Sequence, residues 1–354
     1  MPLTIAIHPD DYTASGKPPD SDASSPKWAR LLQEAGHQVR WVDVFRPDII
    51  DQLRGCHGFM WRWAQFRGMY RVARRLLPVI EKELGLVTYP DLNTCWHYDD
   101  KITQWYLLSA VGIPVPKTWV WYAREDARNW AHSAPYPIVL KLAGGAGSEN
   151  VRLLHSFSEA EYWIDKLFSH GVYRLAEAPS RRWRFGIRRF RSAAKLILQG
   201  IPPQPPRPPP NAGELHRNYV LLQEFLPDNA FDTRITVIGN RAFGFRRFNR
   251  DNDFRASGSG KIDYTVSDIS PDFVRLAFQV AHRLQTQSCA IDGLRRSKQP
   301  VVGEISYTYV SWLVHDCPGH WELLDEDLKW CEGHMWPEEA QIQDFLVRLK
   351  TKYA

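Results

Sequence analysis

The N-terminal part of the chain alternates between short apolar runs and amphipathic stretches, which predicts strands and helices in turn. Three runs rich in β-branched and aromatic residues predict buried strands: 3–8, 37–44 and 58–63. Helices are predicted over about 26–35, with Ser25 as N-cap, and over 70–84. This alternation predicts a small parallel α/β domain over about residues 1–92. The polar loop 10–25 follows the first strand, and it either contacts a ligand at the sheet edge or is a mobile surface loop.

The next part of the chain carries lysines and glycines at the ends of predicted elements. Segment 93–120 predicts a helix that contains Lys101. Segment 136–154 predicts a strand that ends near Lys141, a glycine-rich loop and a second strand. A lysine beside such a loop can reach a phosphate, and glycines let backbone N–H groups approach the phosphate oxygens. By itself this pattern is also typical of an ordinary glycine-rich hairpin.

The C-terminal part predicts a strand pair, a helix and a hairpin that ends in two carboxylates. The elements expected are a strand, linker and strand over 219–240, a helix over about 271–287, and a closing helix in 337–353. Segment 290–306 has an apolar run on each side of the charged turn RRSKQ, and folding about that turn brings Asp292 opposite Glu304. Two converging carboxylates favour a hard divalent cation such as Mg²⁺, which usually comes with phosphates. The alternative is a solvated hairpin with incidental acids.

Composition narrows the class of protein. With 354 residues, 44% of them hydrophobic, the chain can bury a sizeable core in two or three subdomains. We expect no secretory signal, and no apolar run approaches the roughly 18 residues of a transmembrane helix. An odd count of five cysteines fits a reducing cytoplasm.

The order and spacing of the motifs resemble the ATP-grasp superfamily of carboxylate–amine ligases. The residues that carry the resemblance run from Asn93 to Ser306: the "N…DK…GIPVPKT" run, "VLKLAGGAGSENV", "LQEF", "DTR", "DFR" and the D-x11-E-x-S spacing of the hairpin. The fold implied is mixed α/β and α+β, with a parallel pre-ATP-grasp α/β domain before a two-subdomain ATP-grasp fold. The domains implied are 1–92, 93–222 with an insert at about 177–217, and 223–354.

The resemblance implies an enzyme that uses ATP and Mg²⁺ to join a small-molecule carboxylate to an amine through an acyl phosphate. The richness in tryptophan favours a sugar acid or glycan-linked substrate. The alternative is an ATP-grasp phosphotransferase, or an ATP-binding protein without ligase activity. Nucleic acid is not an expected partner, because the basic run is confined to one insert and no recognised module is present. An oligomer is compatible with the sequence.

The resemblance also assigns roles to individual residues. The nucleotide would be bound by two phosphate lysines, a glycine flap, a hinge and one acid: Lys101, Lys141, Gly144, Gly145, Gly147, Ser148, Gln223, Glu224, Phe225, Leu226 and Asp232. The catalytic arginines would be Arg234, Arg247 and Arg255, where fixed positive charge stabilises the transferring phosphoryl group. The metal ligands would be Asp292, Glu304 and Ser306. Ser306 stands where the family has an asparagine, and Ser257 does so after "DFR", which puts a second Mg²⁺ in doubt and suggests an altered acceptor site.

Two further segments have no place in the family pattern. Residues 181–198 predict a basic amphipathic helix, followed by a polyproline spacer, and this helix either contacts an anionic membrane surface or packs on the protein. The first alternative implies a cytoplasmic protein peripheral to the inner face of the membrane. The repeat C-x2-H at Cys317/His320 and Cys331/His334 offers four zinc ligands, but the aromatic surroundings favour a packed tail instead.

Overall fold

The computed structural model describes residues 1–10, 23–64, 69–145, 150–175, 214–325 and 327–354. By its internal contacts the chain divides into two compact units, one of residues 1–119 with 223–354 and the other of residues 120–222. The division at residues 92 and 222 that the sequence favours remains a prediction.

The first unit begins with a four-stranded sheet in the order β2-β1-β3-β4, and all three pairings are parallel. Its strands are β1 (Thr4–Ile7), β2 (Gln38–Trp41), β3 (Gly58–Met60) and β4 (Val87–Tyr89). The helices of this region are α1 (Ser24–Glu34), α2 (Ile49–Leu53), α3 (Met69–Pro78), α4 (Leu92–Cys95) and α5 (Lys101–Ala110). A π-helical turn, Val79–Glu83, continues α3. The predicted parallel α/β arrangement is confirmed.

The start of α1 differs from the prediction. The N-cap residue is Ala23, which gives no side-chain hydrogen bond, and Ser25 lies inside the helix. The Asp10 carboxylate accepts the backbone N–H groups of Ser24 and Ser25 at 2.5 and 3.3 Å, and the Ser25 hydroxyl accepts the backbone N–H of Asp10 at 2.9 Å. The predicted cap at Ser25 was wrong because a carboxylate from the preceding loop satisfies the first donors of the helix.

In its described residues, the second unit contains a four-stranded sheet in the order β5-β8-β6-β7 and two helices. These elements are β5 (Thr118–Trp121), α6 (Arg124–His132), β6 (Ile138–Lys141), β7 (Val151–Leu154), α7 (Phe157–Phe168) and β8 (Val220–Glu224). Buried side chains such as Leu140, Leu154, Ile164 and Leu222 form its core.

The rest of the first unit is built on a large sheet in the order β13-β12-β9-β10-β14-β15, with β11 beside β10. Its strands are β9 (Phe231–Ile238), β10 (Arg241–Phe248), β11 (Ile262–Asp263), β12 (Ser288–Arg296), β13 (Gln299–Ser306), β14 (Gly319–Leu324) and β15 (Asp327–Glu332). Its helices are α8 (Pro271–Leu284), α9 (Ser311–His315) and α10 (Pro337–Tyr353). The apolar face of α8 packs on the sheet, where Phe273 and Val274 meet Ile235 and Ile291. None of the helices formed by the described residues combines the length and the apolar character that a membrane crossing requires.

Candidate active site

A row of charged side chains crosses four neighbouring strands of the large sheet. On β9 and β10, Asp232 lies opposite Arg247, and on β9 and β12, Arg234 lies opposite Asp292. On β12 and β13, Asp292 lies opposite Glu304. Side chains of directly opposed residues, and of residues two apart on one strand, point to the same face of a sheet. The register therefore gathers all five side chains on one face.

Guanidinium groups donate hydrogen bonds to both carboxylate oxygens of Asp292. Arg234 donates to them in a bidentate pair, with Nε–Oδ1 and Nη2–Oδ2 distances of 2.7 and 2.8 Å. Arg247 donates to the two oxygens of Asp232 at 2.8 and 2.6 Å, and its Nη2 is also 2.8 Å from Oδ2 of Asp292. Arg247 therefore bridges two carboxylates, and Asp232 and Arg247 are both buried.

The two aspartates that share Arg247 differ in pKa, because Asp292 is also paired in a bidentate manner with Arg234. Burial raises the pKa of Asp232, and the nearby charge of Asp292 raises it further against the opposing effect of Arg247. Burial also favours the neutral form of Asp292, but Arg234 and Arg247 together hold the pKa of this carboxyl below its ordinary value. Burial opposes the charge of Arg247, yet the two carboxylates raise its pKa. Asp292 is thus the firmly ionised member of the pair.

Glu304 pairs with the lysine at the start of α5. The Nζ of Lys101 lies 3.2 Å from Oε1 of Glu304, and the lysine side chain is 8% exposed while the glutamate is 38% exposed. Asp100 caps α5 by accepting the backbone N–H groups of its first turn. The amide of Gln104, one turn on, exchanges hydrogen bonds with the backbone of Ile305 at 2.9 and 3.3 Å. These contacts fix Lys101 beside the half-exposed carboxylate.

A β-bulge shapes the carboxylate end of the hairpin. The register of β12 and β13 shifts between Asp292 and Gly293, so that Gly303 is left without a direct partner next to Glu304. A Cβ at Gly293 would lie 2.5 Å from the ring of Phe273, so glycine is required there for close approach. Bulges change the direction of side chains near functional sites. This one directly adjoins the pair of candidate metal ligands, Asp292 and Glu304.

The donor set fits Mg²⁺ in chemical type. Asp292 and Glu304 offer carboxylate oxygens, and Ser306 lies two residues beyond Glu304 on the same strand. A carboxylate has about four lone-pair sites, so Asp292 can accept from two arginines and still bind a cation. The hydroxyl of Ser306 donates to the carbonyl of Thr308 at 2.7 Å and accepts its backbone N–H at 3.2 Å. Ser306 is therefore held in place by the chain turn that follows β13.

The predicted hinge is fixed to the residues at the start of β5. Gln223 donates to the hydroxyl of Thr118 at 2.9 Å, and the backbone N–H and side chain of Glu224 both pair with Lys117. Arg296, at the end of β12, also donates to Oε1 of Glu224 at 2.8 Å. The sequence pattern places this arginine only in a charged turn, because its partner lies 72 positions away and no local pattern connects them.

The other hinge residues, Phe225 and Leu226, and the third candidate arginine, Arg255, contact residues outside the charged row. The ring of Phe225 packs edge-on against Phe254, and the carbonyl of Leu226 accepts from the Asn229 amide at 3.3 Å. Arg255 pairs with Asp253, two residues away, with an Nη2–Oδ2 distance of 2.6 Å. Arg234 and Arg247 are thus brought together on one carboxylate, whereas Arg255 belongs to a separate local pair.

The phosphate-loop candidates lie in the second unit. Lys141 ends β6 and lies opposite Val151 of β7. The Asn150 amide donates to the carbonyl of Gly144 at 2.8 Å, and Gly145 has φ +113°, where a Cβ would lie 2.4 Å from that amide nitrogen. Glycine is therefore required at this position. Gly147 and Ser148 lie outside the described residues, as does the predicted helix over 181–198.

The structure does not bring the four candidate zinc ligands of the C-x2-H repeat together. The thiol of Cys317 is buried and donates to the carbonyl of Gly244 at 3.5 Å. His334 lies 2.8 Å from the carbonyl of His315 through Nδ1. Among the described residues, His320 and Cys331 instead form a group with Glu322. The C-x2-H repeat does not gather its four members, because only His320 and Cys331 lie on the paired strands, whereas Cys317 and His334 lie outside them in other contacts.

Comparison with known proteins identifies a matching domain family and a curated relative. The RimK-like ATP-grasp domain family matches residues 211–309, which include the strands of the charged row. A probable alpha-L-glutamate ligase of Cellvibrio japonicus is 23% identical over 296 residues, covering 80% of this chain and 83% of that protein.

Two solved structures share the fold. The D-alanine–D-alanine ligase from Bacillus anthracis complexed with ATP has a TM-score of 0.56 at 10% identity and covers 99% of both chains. The ATP-grasp ligase PsnB complexed with minimal precursor, Mg and ADP has a TM-score of 0.53 at 14% identity and covers 98% of both chains. The domain match, the shared fold and the charged row together place this chain in the ATP-grasp superfamily.

Proposed function

We propose that the chain is an ATP-dependent carboxylate–amine ligase. The observation that supports this most is the charged row itself. Three cations, Arg234, Arg247 and Lys101, contact three carboxylates on one face of the sheet, and their formal charges cancel. A site balanced in this way can accept a polyphosphate and a divalent cation together without gaining a large excess of either sign. That is what an ATP-dependent phosphoryl transfer requires.

We assign a separate role to each residue of the charged row. Asp292 and Glu304 would hold Mg²⁺, which offsets phosphate charge, and Ser306 would contribute a hydroxyl beside them. Arg234 and Lys101 would stabilise the anionic oxygens of the transferring phosphoryl group. Asp232 keeps both its oxygens on Arg247, so we assign it to the positioning of that arginine rather than to the ribose.

The reaction would proceed in two displacements. A carboxylate oxygen of the substrate attacks the γ-phosphorus, the bond to the β-phosphate oxygen breaks, and ADP leaves. The amine then attacks the carbonyl carbon of the acyl phosphate, the C–O bond to phosphate breaks, and the ammonium of the adduct loses a proton. Amide, ADP and inorganic phosphate are the products.

The substrates are proposed at the level of class. The relative from Cellvibrio japonicus is a probable alpha-L-glutamate ligase. Of the two structural neighbours, one is a D-alanine–D-alanine ligase and the other is an ATP-grasp ligase complexed with a minimal precursor. An amino acid or a peptide is therefore the first amine or carboxylate to test. A sugar acid or a glycan-linked acid, which the tryptophan content favours, belongs in the same panel.

The decisive experiment measures ADP release from ATP with each acid, each amine and both together. Ligase activity requires ADP formation that depends on both partners and a product whose mass equals the sum of the two less one water. ADP release with the acid or an alcohol alone, and transfer of phosphate to it, would identify the phosphotransferase alternative. Ser306 and Ser257, which stand where the family has asparagine, are the observation that favours that second candidate.

The insert over 181–198 lies outside the described residues, and its contact with an anionic membrane surface remains a proposal. If it holds, the enzyme would act on the inner face of the membrane, close to lipid-linked substrates.

A further inference from the structure

A second group of candidate metal ligands lies on the β14–β15 hairpin, away from the charged row on β9, β10, β12 and β13. His320 and Cys331 lie directly opposite each other, and Glu322 follows His320 by two residues on the same face. One ligand atom from each of the three lies within 4.8 Å of the others. Trp321 packs into the core from the opposite face of β14, so the three ligands project from the side remote from α8.

The imidazole of His320 lacks, at Nδ1, the hydrogen bond that usually fixes a buried histidine. Its side chain is 13% exposed, and its ring packs against Phe243 with centroids 5.3 Å apart. Nδ1 is buried and has no hydrogen-bond partner within the described part of the chain. Nε2 lies 3.8 Å from Oε1 of Glu322, which is longer than a hydrogen bond. A cation bound to one ring nitrogen would offset part of the free energy that this largely buried, under-paired ring costs.

Two basic side chains lie near the group, so the net charge of a metal-bound site matters. Glu322 lies between two cationic neighbours in the register, Arg241 on β10 and Lys329 on β15. Arg241 is paired with Asp344 at 3.1 Å. Bound Zn²⁺ with a thiolate, a carboxylate and a neutral imidazole is a neutral assembly, so the occupied site carries no excess positive charge beside these cations.

We propose that His320, Glu322 and Cys331 form a site for a borderline transition-metal ion such as Zn²⁺, with a fourth position open to water. Imidazole, carboxylate and thiolate are the three protein ligand types of zinc, at metal–ligand distances of about 2.0–2.3 Å. Ligand atoms within 4.8 Å of one another reach that geometry by small side-chain rotations. Because β15 is an edge strand, the metal would fasten the hairpin at the sheet border.

The test uses the full chain, freed of metal with a chelator and titrated with Co²⁺ and then with Zn²⁺ as competitor. One equivalent of Co²⁺ should produce a thiolate-to-cobalt charge-transfer band, which Zn²⁺ abolishes, and Zn²⁺ should raise the Tm. Cys331→Ser should remove the band, and His320→Gln should weaken binding by at least about 100-fold, beyond what loss of an outer hydrogen bond costs.

Two variants serve as controls. His334→Gln removes a ligand that the C-x2-H spacing alone would require, and Cys56→Ser removes a buried thiol of the parallel domain. Both should retain the band and the Tm increase. Circular dichroism of each variant establishes that it is folded. Absence of a one-equivalent band in the folded wild type, persistence of the band in Cys331→Ser, or its equal loss in His334→Gln would overturn the proposal.

Discussion

Asp292 and Glu304 lie directly opposite each other on β12 and β13, but each carboxylate contacts different cations. Asp292 is held by Arg234 and Arg247, whereas Glu304 is held by Lys101. Mutual repulsion between the two carboxylates is thereby offset before any nucleotide binds. Under the proposed function, the difference in exposure would let an entering cation reach the half-exposed Glu304 first.

Replacement of Glu304 by glutamine should abolish turnover while the protein remains folded. The change removes one charge from the proposed Mg²⁺ site, and we expect kcat to fall by at least about 100-fold. Initial rates of ADP release measure this, and the Tm serves as the check on folding. Glu332→Gln, an exposed change on β15, is the matched control. ADP production at the wild-type rate in the Glu304 variant would refute the metal assignment.

Lys141→Ala should weaken ATP binding. A charge-assisted hydrogen bond contributes about 1.5–3 kcal/mol, so Kd should rise by about 10–100-fold. Calorimetric titration with ATP and Mg²⁺ gives the value. Lys298→Ala, an exposed change in the hairpin turn, should leave Kd unaltered. Equal affinities for wild type and Lys141→Ala would count against the assignment of this loop to phosphate.

Arg247→Gln should destabilise the protein strongly. It leaves Asp232 and Asp292 facing each other in a buried setting, and breaking a buried pair in this way costs about 3–5 kcal/mol. The double variant Asp232→Asn/Arg247→Gln should recover part of the loss, because one of the two carboxylates is gone. Urea unfolding of the four proteins in the cycle provides the coupling free energy. Strictly additive effects would show that the bridge between the carboxylates is unimportant.

Asp10 should make stability depend on pH. Burial raises the pKa of this carboxyl to about 6 from an ordinary 3.8, against the opposing effects of Arg62 and the α1 N–H groups. The folded state therefore binds the proton more tightly than the unfolded state, and this contribution to stability is lost as pH rises from about 4 to about 6. Relative to Asp10→Asn, the wild type should lose about 2–3 kcal/mol of unfolding free energy across this range. A constant difference between the two proteins from pH 4 to 7.5 would contradict the assignment.

The insert is tested with vesicles. If residues 181–198 contact anionic lipid, each arginine near the surface contributes about 1 kcal/mol, and sedimentation with anionic liposomes should decrease steeply as salt rises. Serine at Trp183, Ile187 and Phe190 should reduce it further by removing the apolar anchor. If these side chains pack on the protein instead, the substitutions lower the Tm and no vesicle binding occurs. A wild-type protein that stays in the supernatant at low salt excludes the membrane role.

Local signals in the sequence predicted the order of the elements and the pairing of Asp292 with Glu304 across the hairpin. The apolar runs and helical periodicities predicted the parallel sheet, α8 and the β12–β13 hairpin, because each depends on residues close together in the chain. The hairpin alone places Asp292 opposite Glu304. The predicted turn was too long, since the strands continue to Arg296 and resume at Gln299.

What the sequence by itself determined is therefore the set of chemical groups and their order: two lysines, the glycine loop, the arginines and the paired carboxylates. Only the tertiary structure decided how they are partnered. Arg234 meets Asp292 across 58 positions, Glu224 meets Arg296 across 72, and Asp10 replaces Ser25 at the start of α1. The reason is physical. A strand pattern specifies which face a side chain takes, but the neighbour on that face depends on strand order and register across the sheet, which long-range packing sets.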